Sequence, residues 1–394
     1  MDPRRNPFTP NAGARPPALV GRDDELTAFD ILLYRLQAGH AERSMLITGL
    51  RGVGKTVLLG AFEERARLAG WATVETEITR DSDFRGRMAQ LVRRALLQVA
   101  PRERWRERAR RAAGVLRSFA ITVSSEGAIT GSLDIEPVHG AADSGDLSED
   151  LSDLLVALGE AAAEHEAGVV FLLDEVQFLE RSQLEALIAA LHRTVQRQLP
   201  ITLVGAGLPH LSRLAGEAKS YAERLFTFPV IGRLSDREAA LALTAPAEEQ
   251  EVALDRRAVE AVVTYTQGYP YFLQEYGKEL WDHAAGSPIT AQEAVETQAV
   301  VEAKLDGNFF RIRVERATDR EVRYLRAMAE LGPGPQRAGD VAAILGGSSA
   351  RWGATRARLI EKGLLYPPDY GLAAFTVPQF DRYLRRAYPS EPRA

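Results

Sequence analysis

Cysteine is absent from the 394-residue chain, which excludes disulfides, thiol nucleophiles and thiolate metal sites. Histidine is sparse: His40, His139, His165, His192, His210 and His283 stand apart and form no His-x-x-x-His pair, so the usual signature of a zinc hydrolase is missing. Long apolar runs are missing too. The longest of note, Gly168–Leu173, falls far short of the ~20 residues of a membrane helix, so no membrane partner is expected. The first twenty residues carry arginines and prolines but no apolar stretch; this is not a secretory pattern, and the expected location is the cytoplasm.

What is present describes a globular protein of two or three domains, with 45% hydrophobic and 26% charged residues. The formal charge of −5 conceals an asymmetry. From Arg311 onward fifteen Arg and Lys face nine Asp and Glu, a surplus of six, which leaves −11 for the rest. A basic end on an acidic body points towards a polyanion, although charge alone identifies no partner.

Along the chain, residues 1–17 are rich in Pro, Asn and Gly and predict an extended arm. Leu26, Phe29, Leu32, Leu33 and Leu36 form a helical stripe. The run 43–48 reads as a short buried strand and the alternating, β-branched run 71–78 as a second strand, flanking a glycine-rich loop and a helix, the unit of a parallel sheet. Strands are also predicted at 169–175, 201–207 and 225–231. An insert at 101–150 begins with seven Arg and two Glu between Arg102 and Arg117, and continues through two alternating runs, 118–138, that predict a hairpin. The arginines offer either a second phosphate-contacting surface or a solvated helix, with only Trp105 available for base stacking. Residues 235–310 carry four helical patterns. The last part, 311–394, reads as helix, short helix, Gly-Gly turn, longer helix and two short strands, a helix-turn-helix with a β wing.

The chemistry starts at Gly49, Gly54, Lys55 and Thr56, which satisfy G-x-x-x-x-G-K-[ST] between a strand and a helix. A triphosphate needs inward-pointing backbone N–H groups, glycines that permit the wrap and the positive end of a helix. Gly52, Val53 and Val57 belong to the same cradle; Lys55 adds a charge, and the Thr56 hydroxyl is an oxygen ligand for Mg²⁺. The strand Val169–Leu173 ends in Asp174, a second Mg²⁺ ligand, and Glu175, placed to act as the base that orients water.

Phosphate loop, Asp174-Glu175, the segment Leu19-Val20-Gly21-Arg22, a helical domain and a winged helix, in that order, resemble an AAA+ ATPase of the initiator-like group and the related STAND ATPases, over roughly residues 16–385. The resemblance implies an α/β P-loop NTPase domain with a parallel sheet (18–234), an α-helical lid (235–310) and a C-terminal winged helix-turn-helix domain (311–394). It implies that Leu19, Val20, Gly21 and Arg22 pack against adenine. The only asparagines, Asn6, Asn11 and Asn308, do not adjoin a lysine, so no guanine reader is present and ATP or ADP is expected. In Gly268-Tyr269-Pro270 it implies a proline near the nucleotide, while the residues alone read equally as a helix start. It places Arg224 as an arginine finger serving a neighbouring subunit, the alternative being an ordinary surface arginine. Gly205, Ala206 and Gly207 depart from the family by offering no polar side chain to aim water, which implies slow hydrolysis.

On the longest C-terminal helix, Trp352 and Leu359 face inward, leaving Arg351 and Arg358 on one exposed face, with Lys362 a turn beyond and Arg356 at its flank. Such a face fits double-stranded DNA. The expectation is therefore a Mg-ATP switch, forming a homo-oligomer on ATP binding, that controls a DNA-binding winged helix. The alternatives are a STAND-like signalling or defence ATPase whose winged helix binds a protein partner, or a transposition helper.

Overall fold

Five runs of aliphatic and β-branched residues meet in one parallel sheet: β1 (Ser44–Thr48), β2 (Ala72–Glu77), β3 (Val169–Asp174), β4 (Ile201–Gly207) and β5 (Phe226–Thr227), ordered β2-β3-β4-β1-β5. The structure is a computed structural model and describes residues 1–11, 13–80, 83–121 and 135–389. β1 and β4 are buried along their whole length, as strands with helices on both faces must be. β1 and β2, consecutive in sequence, are separated by β3 and β4, so the chain crosses the sheet before it pairs. The register sets Thr48 beside Gly207 and Leu173 beside Gly205, which brings the loops after β1, β3 and β4 to one edge. Parallel sheets bind ligands at that carboxyl edge.

Two hydrophobic clusters result. One lies between the sheet and the helices Phe84–Val99, Glu107–Ile121, Leu147–Glu164 and Arg181–Gln196. The other runs from the opposite sheet face, through the lid, into the C-terminal module. In the insert the helix Glu107–Ile121 takes up Ser118–Ile121, which the alternation assigns to a hairpin strand; Ser118, Phe119 and Ala120 are buried on its inner side. Residues 122–134 of that hairpin lie outside the described residues, and 135–138 form no strand but run back along the helix, where the Val138 N–H donates to Gly114 O.

Four helices, Asp236–Glu248, Arg256–Thr266, Pro270–His283 and Ala291–Lys304, pack together as the part expected to be the lid. Ser235 and Thr290 each start a helix with a capping box, satisfying otherwise orphaned N–H groups. The N-terminal arm is not free. The Met1 amine donates to Ala284 O at 2.6 Å, Asn6 Nδ2 to Lys278 O at 3.0 Å, and Phe8, 5% exposed, packs where a Cβ on Gly277 would stand 2.6 Å from its ring. Gly277 thus admits the ring, and the arm becomes a wall of the lid.

A π-helical stretch, Leu305–Arg311, leads out of the lid. Beyond it come the helix Asp319–Leu331, β6 (Gln336–Arg337), the helices Ala338–Leu345 and Ser349–Glu361, β7 (Leu365–Tyr366), β8 (Leu372–Phe375) and the helix Phe380–Ala387. The strands form an antiparallel sheet ordered β6-β8-β7. This module docks on both other parts. Phe310 stacks on Tyr383 with centroids 5.2 Å apart, Arg386 pairs with Asp306 at 2.7 Å, and Tyr366 and Ala374 pack against Leu208 and Leu50. Among the described residues no helix is long and apolar enough to cross a membrane.

Candidate functional site

A cavity of about 460 Å³ opens where the sheet edge, the lid, the arm and the π-helical stretch meet, within the range of small-molecule sites. Its floor is the loop between β1 and the helix Lys55–Leu68. Gly49 passes so close to the chain after β5 that a Cβ would stand 2.4 Å from Ile231 O. Gly54 caps the helix in the left-handed region at φ 93°, a turn other residues take only under strain. The helix therefore begins at Lys55 with its N–H groups aimed into the cavity mouth, the arrangement that binds phosphate.

Lys55 is 6% exposed, and Nζ donates to Gly49 O and Leu50 O, both at 2.9 Å. Burial pushes its pKa down to about 8 against the pull of Glu175 and Asp174. Thr56 Oγ1 donates to Asp174 Oδ2 at 2.5 Å. Asp174 Oδ1 accepts the Glu175 N–H at 2.8 Å, and Glu175 sits at φ 55°, a conformation of measurable cost to a residue with a Cβ. Its Oε2 faces the Arg51 guanidinium at 3.4 Å and also accepts from Gln177 Nε2. Two acids at a strand end are thus held in different roles: Asp174 on the Thr56 hydroxyl, Glu175 towards the cavity.

Leu19, Val20, Arg22, Val53, Val57 and Pro270 line the same cavity. Gly49, Gly21 and Asp174 do not line it: Gly49 shapes the loop, Gly21 lies against the Glu238 carboxylate, and Asp174 takes the Thr56 hydroxyl. The Arg22 guanidinium is spent on backbone, donating to Gly21 O at 2.7 Å, Gly232 O at 2.9 Å and Val53 O at 3.1 Å. Its contribution is to fix the cavity wall. Pro270 is the first residue of its helix and also lines the cavity. Arg224 is exposed on the short helix before β5 and is not part of this cavity.

Three contributors went unread in the sequence. Arg313 lines the cavity from just beyond the π-helical stretch, its guanidinium 3.9 Å from the Phe309 ring centroid, and burial lowers its pKa. Thr9, from the arm, also lines the cavity and has a buried hydroxyl with no protein partner. Gln177 reaches across the end of β4: Oε1 accepts the Leu208 N–H at 3.1 Å, and a Cβ on Gly207 would stand 2.5 Å from it. The amide at that strand end thus comes from the neighbouring loop, and its oxygen is taken up by the Leu208 N–H. Only Gln177 left a sequence signal, its place two residues after Glu175.

On the helix Ser349–Glu361, Trp352 and Leu359 are buried as the spacing predicts. Of the four cations expected on its outer face, Arg358 and Lys362 converge on Glu321, at 3.1 and 2.6 Å, and that carboxylate is fully buried. Burial alone would raise the Glu321 pKa, but Lys362, the Thr318 N–H and Arg358 bring it down to about 2. Arg356 turns inward to donate to Leu372 O. Arg351 remains exposed.

A family model for the AAA ATPase domain matches residues 18–204, and one for a domain of unknown function (DUF8462) matches residues 307–384. No curated protein matches the chain. Among solved structures, the Walker-type ATPase PABY2304 of Pyrococcus abyssi is similar over 94% of this chain and 97% of its own, with 18% identity and a TM-score of 0.55. The Aeropyrum pernix ORC2 protein, in its ADPNP-ADP complexes, is similar over 97% and 98%, with 16% identity and a TM-score of 0.53. At such identities the likeness is one of fold. Residues 18–204, which carry the phosphate loop, Asp174 and Glu175, are similar to an AAA ATPase domain.

Proposed function

We propose that the chain binds Mg-ATP between its ATPase domain and lid, hydrolyses it slowly to ADP and phosphate, and uses the nucleotide state as a conformational or assembly switch for the C-terminal module. The observation that carries this is the position of the phosphate loop, which touches all three parts. Tyr269 of the lid donates to Arg51 O, and the Arg51 N–H donates to Thr376 O of the module at 3.0 Å. A phosphate in the loop bears on both neighbours at once.

The helix start and Lys55 are suited to hold the phosphates, and Glu175 to orient the attacking water. Thr56 and Asp174, two hard oxygen donors already in contact, fit the magnesium ion that accompanies ATP, which would neutralise phosphate charge. Leu19 and Val20 offer an apolar wall for adenine, and the ADPNP-ADP complexes of the A. pernix protein support an adenine nucleotide. Slow turnover is supported by the lack of a polar side chain on Gly205, Ala206 and Gly207. Arg224, exposed and outside this cavity, fits a finger for a neighbouring copy assembled on ATP.

We read the module as a winged helix from its order of helix, strand, two helices and two strands. Its basic surplus and exposed Arg351 support double-stranded DNA as partner. The protein-binding, STAND-like reading is favoured by a different observation: Arg358 and Lys362 are spent on Glu321, and Arg356 faces inward. Gel shifts over a salt series decide between them, because DNA binding weakens steeply with salt. No shift at the lowest salt removes the DNA reading. For the enzyme, Glu175→Gln is expected to bind ATP as the parent does and lose turnover by about 100-fold. Parental turnover in that variant removes Glu175 as the base.

A further inference from the structure

We propose that Arg51 is a positioning residue for Glu175, and that its own placement is set by the C-terminal module, so that docking of the module governs turnover. The inference rests on the ATPase reading above.

The side chain of Arg51 reaches Glu175 Oε2 at 3.4 Å, the oxygen that also takes the Gln177 amide. One carboxylate oxygen is thereby fixed from two sides. Everything else about Arg51 is fixed from outside the ATPase domain. Its N–H donates to Thr376 O at 3.0 Å, and its carbonyl accepts from the lid residue Tyr269. Thr376 is itself locked, 1% exposed, with Oγ1 donating to Gly363 O at 2.8 Å. The guanidinium runs beside Gly363, where a Cβ would stand 3.2 Å from NH2. Leu50, the preceding residue, packs on Tyr366 and Ala374 of the module.

An arginine with this environment is not explained by stability. The ion pair is part-exposed, at 31% and 17%, and such pairs contribute little to folding. Arg51 Nε is buried without a protein partner, a cost that a purely structural side chain has no reason to carry. What the arrangement supplies is orientation: module residues 363 and 376 hold Arg51, and Arg51 holds Glu175. Withdrawal of the module removes both the backbone anchor and the wall, and releases the carboxylate. A loosely held base costs rate and leaves nucleotide binding alone.

Steady-state ATP hydrolysis by the full chain tests this with Arg51→Ala, Arg51→Lys, Gly363→Ala and the Arg51→Ala/Gly363→Ala pair. Arg51→Ala is expected to lower kcat about tenfold with KM within about twofold, and Arg51→Lys to restore part of the loss. Gly363→Ala, in another domain, is expected to lower kcat about threefold alone and to add nothing to Arg51→Ala. Thr376→Val, which removes the Oγ1 bond to Gly363, takes its place if circular dichroism shows Gly363→Ala unfolded. An unchanged or raised kcat in Arg51→Ala, a rise in KM instead, or multiplicative effects in the pair overturn the inference. Flat variants beside an active parent remove it alone; a parent that binds ATP and never turns over removes the ATPase reading with it.

Discussion

Two sets of cations in this molecule look alike in sequence and behave differently. At the phosphate loop, Lys55 is buried, hydrogen-bonded to two backbone carbonyls and paired with no carboxylate at contact distance, and lines the cavity. On the helix Ser349–Glu361, three of four cations are engaged inside the module, two of them on the buried Glu321. The difference teaches that a cation is free for a ligand when its hydrogen bonds go to backbone and not to a carboxylate. Where a buried carboxylate faces it, the pair belongs to the fold.

The sharpest way to break this comparison is Lys55→Ala. Loss of the charged donor is expected to weaken nucleotide binding at least ~100-fold by calorimetry. A parental affinity would put Lys55 in the same structural class as Lys362.

Glu321→Ala acts on the other side. It leaves Arg358 and Lys362 without their buried partner and breaks the capping box at Thr318, so the module is expected to lose about 2–3 kcal/mol in urea unfolding. A loss below about 0.5 kcal/mol would mean that those cations are as available as Arg351.

Proton linkage sharpens the contrast at smaller scale. Burial holds the Lys55 pKa near 8, whereas phosphate favours the ammonium form, so binding must draw a proton back onto Nζ above that pH. Affinity is expected to be flat below pH 8 and to fall by up to about tenfold per unit above it. Calorimetry at pH 8.5 in two buffers of different ionisation heat reads the proton uptake directly, and an identical heat in both refutes it.

The smallest effect is expected at Arg351. If it alone of the four meets phosphate, Arg351→Ala lowers the salt slope of DNA binding by about one while Arg358→Ala changes it little. Equal losses from both would show that Arg358 leaves Glu321 to bind.

Much of this was legible in the chain. The strands Ser44–Thr48, Val169–Asp174 and Ile201–Gly207 announce themselves as apolar runs, and the lid helices by periodicity. The phosphate loop is a local motif, so its residues state its geometry. The helix Glu107–Ile121 was not legible to its end, because Ser118–Ile121 alternates as a strand does while its burial is decided by the helices it packs on. The arm was not legible either, since nothing in Met1–Phe8 names Gly277, the residue whose missing side chain receives Phe8.

The sequence by itself determined the phosphate loop, the acids Asp174 and Glu175, and the succession of α/β and helical parts, because each depends on contacts between near neighbours in the chain. Only the tertiary structure decided that Arg51 meets Thr376, that Gln177 fills the end of β4, that Arg313 enters the cavity and that Glu321 takes up Arg358 and Lys362. Those contacts join residues far apart in sequence or aim side chains through loops, and their geometry follows from how the domains pack, which no local pattern encodes.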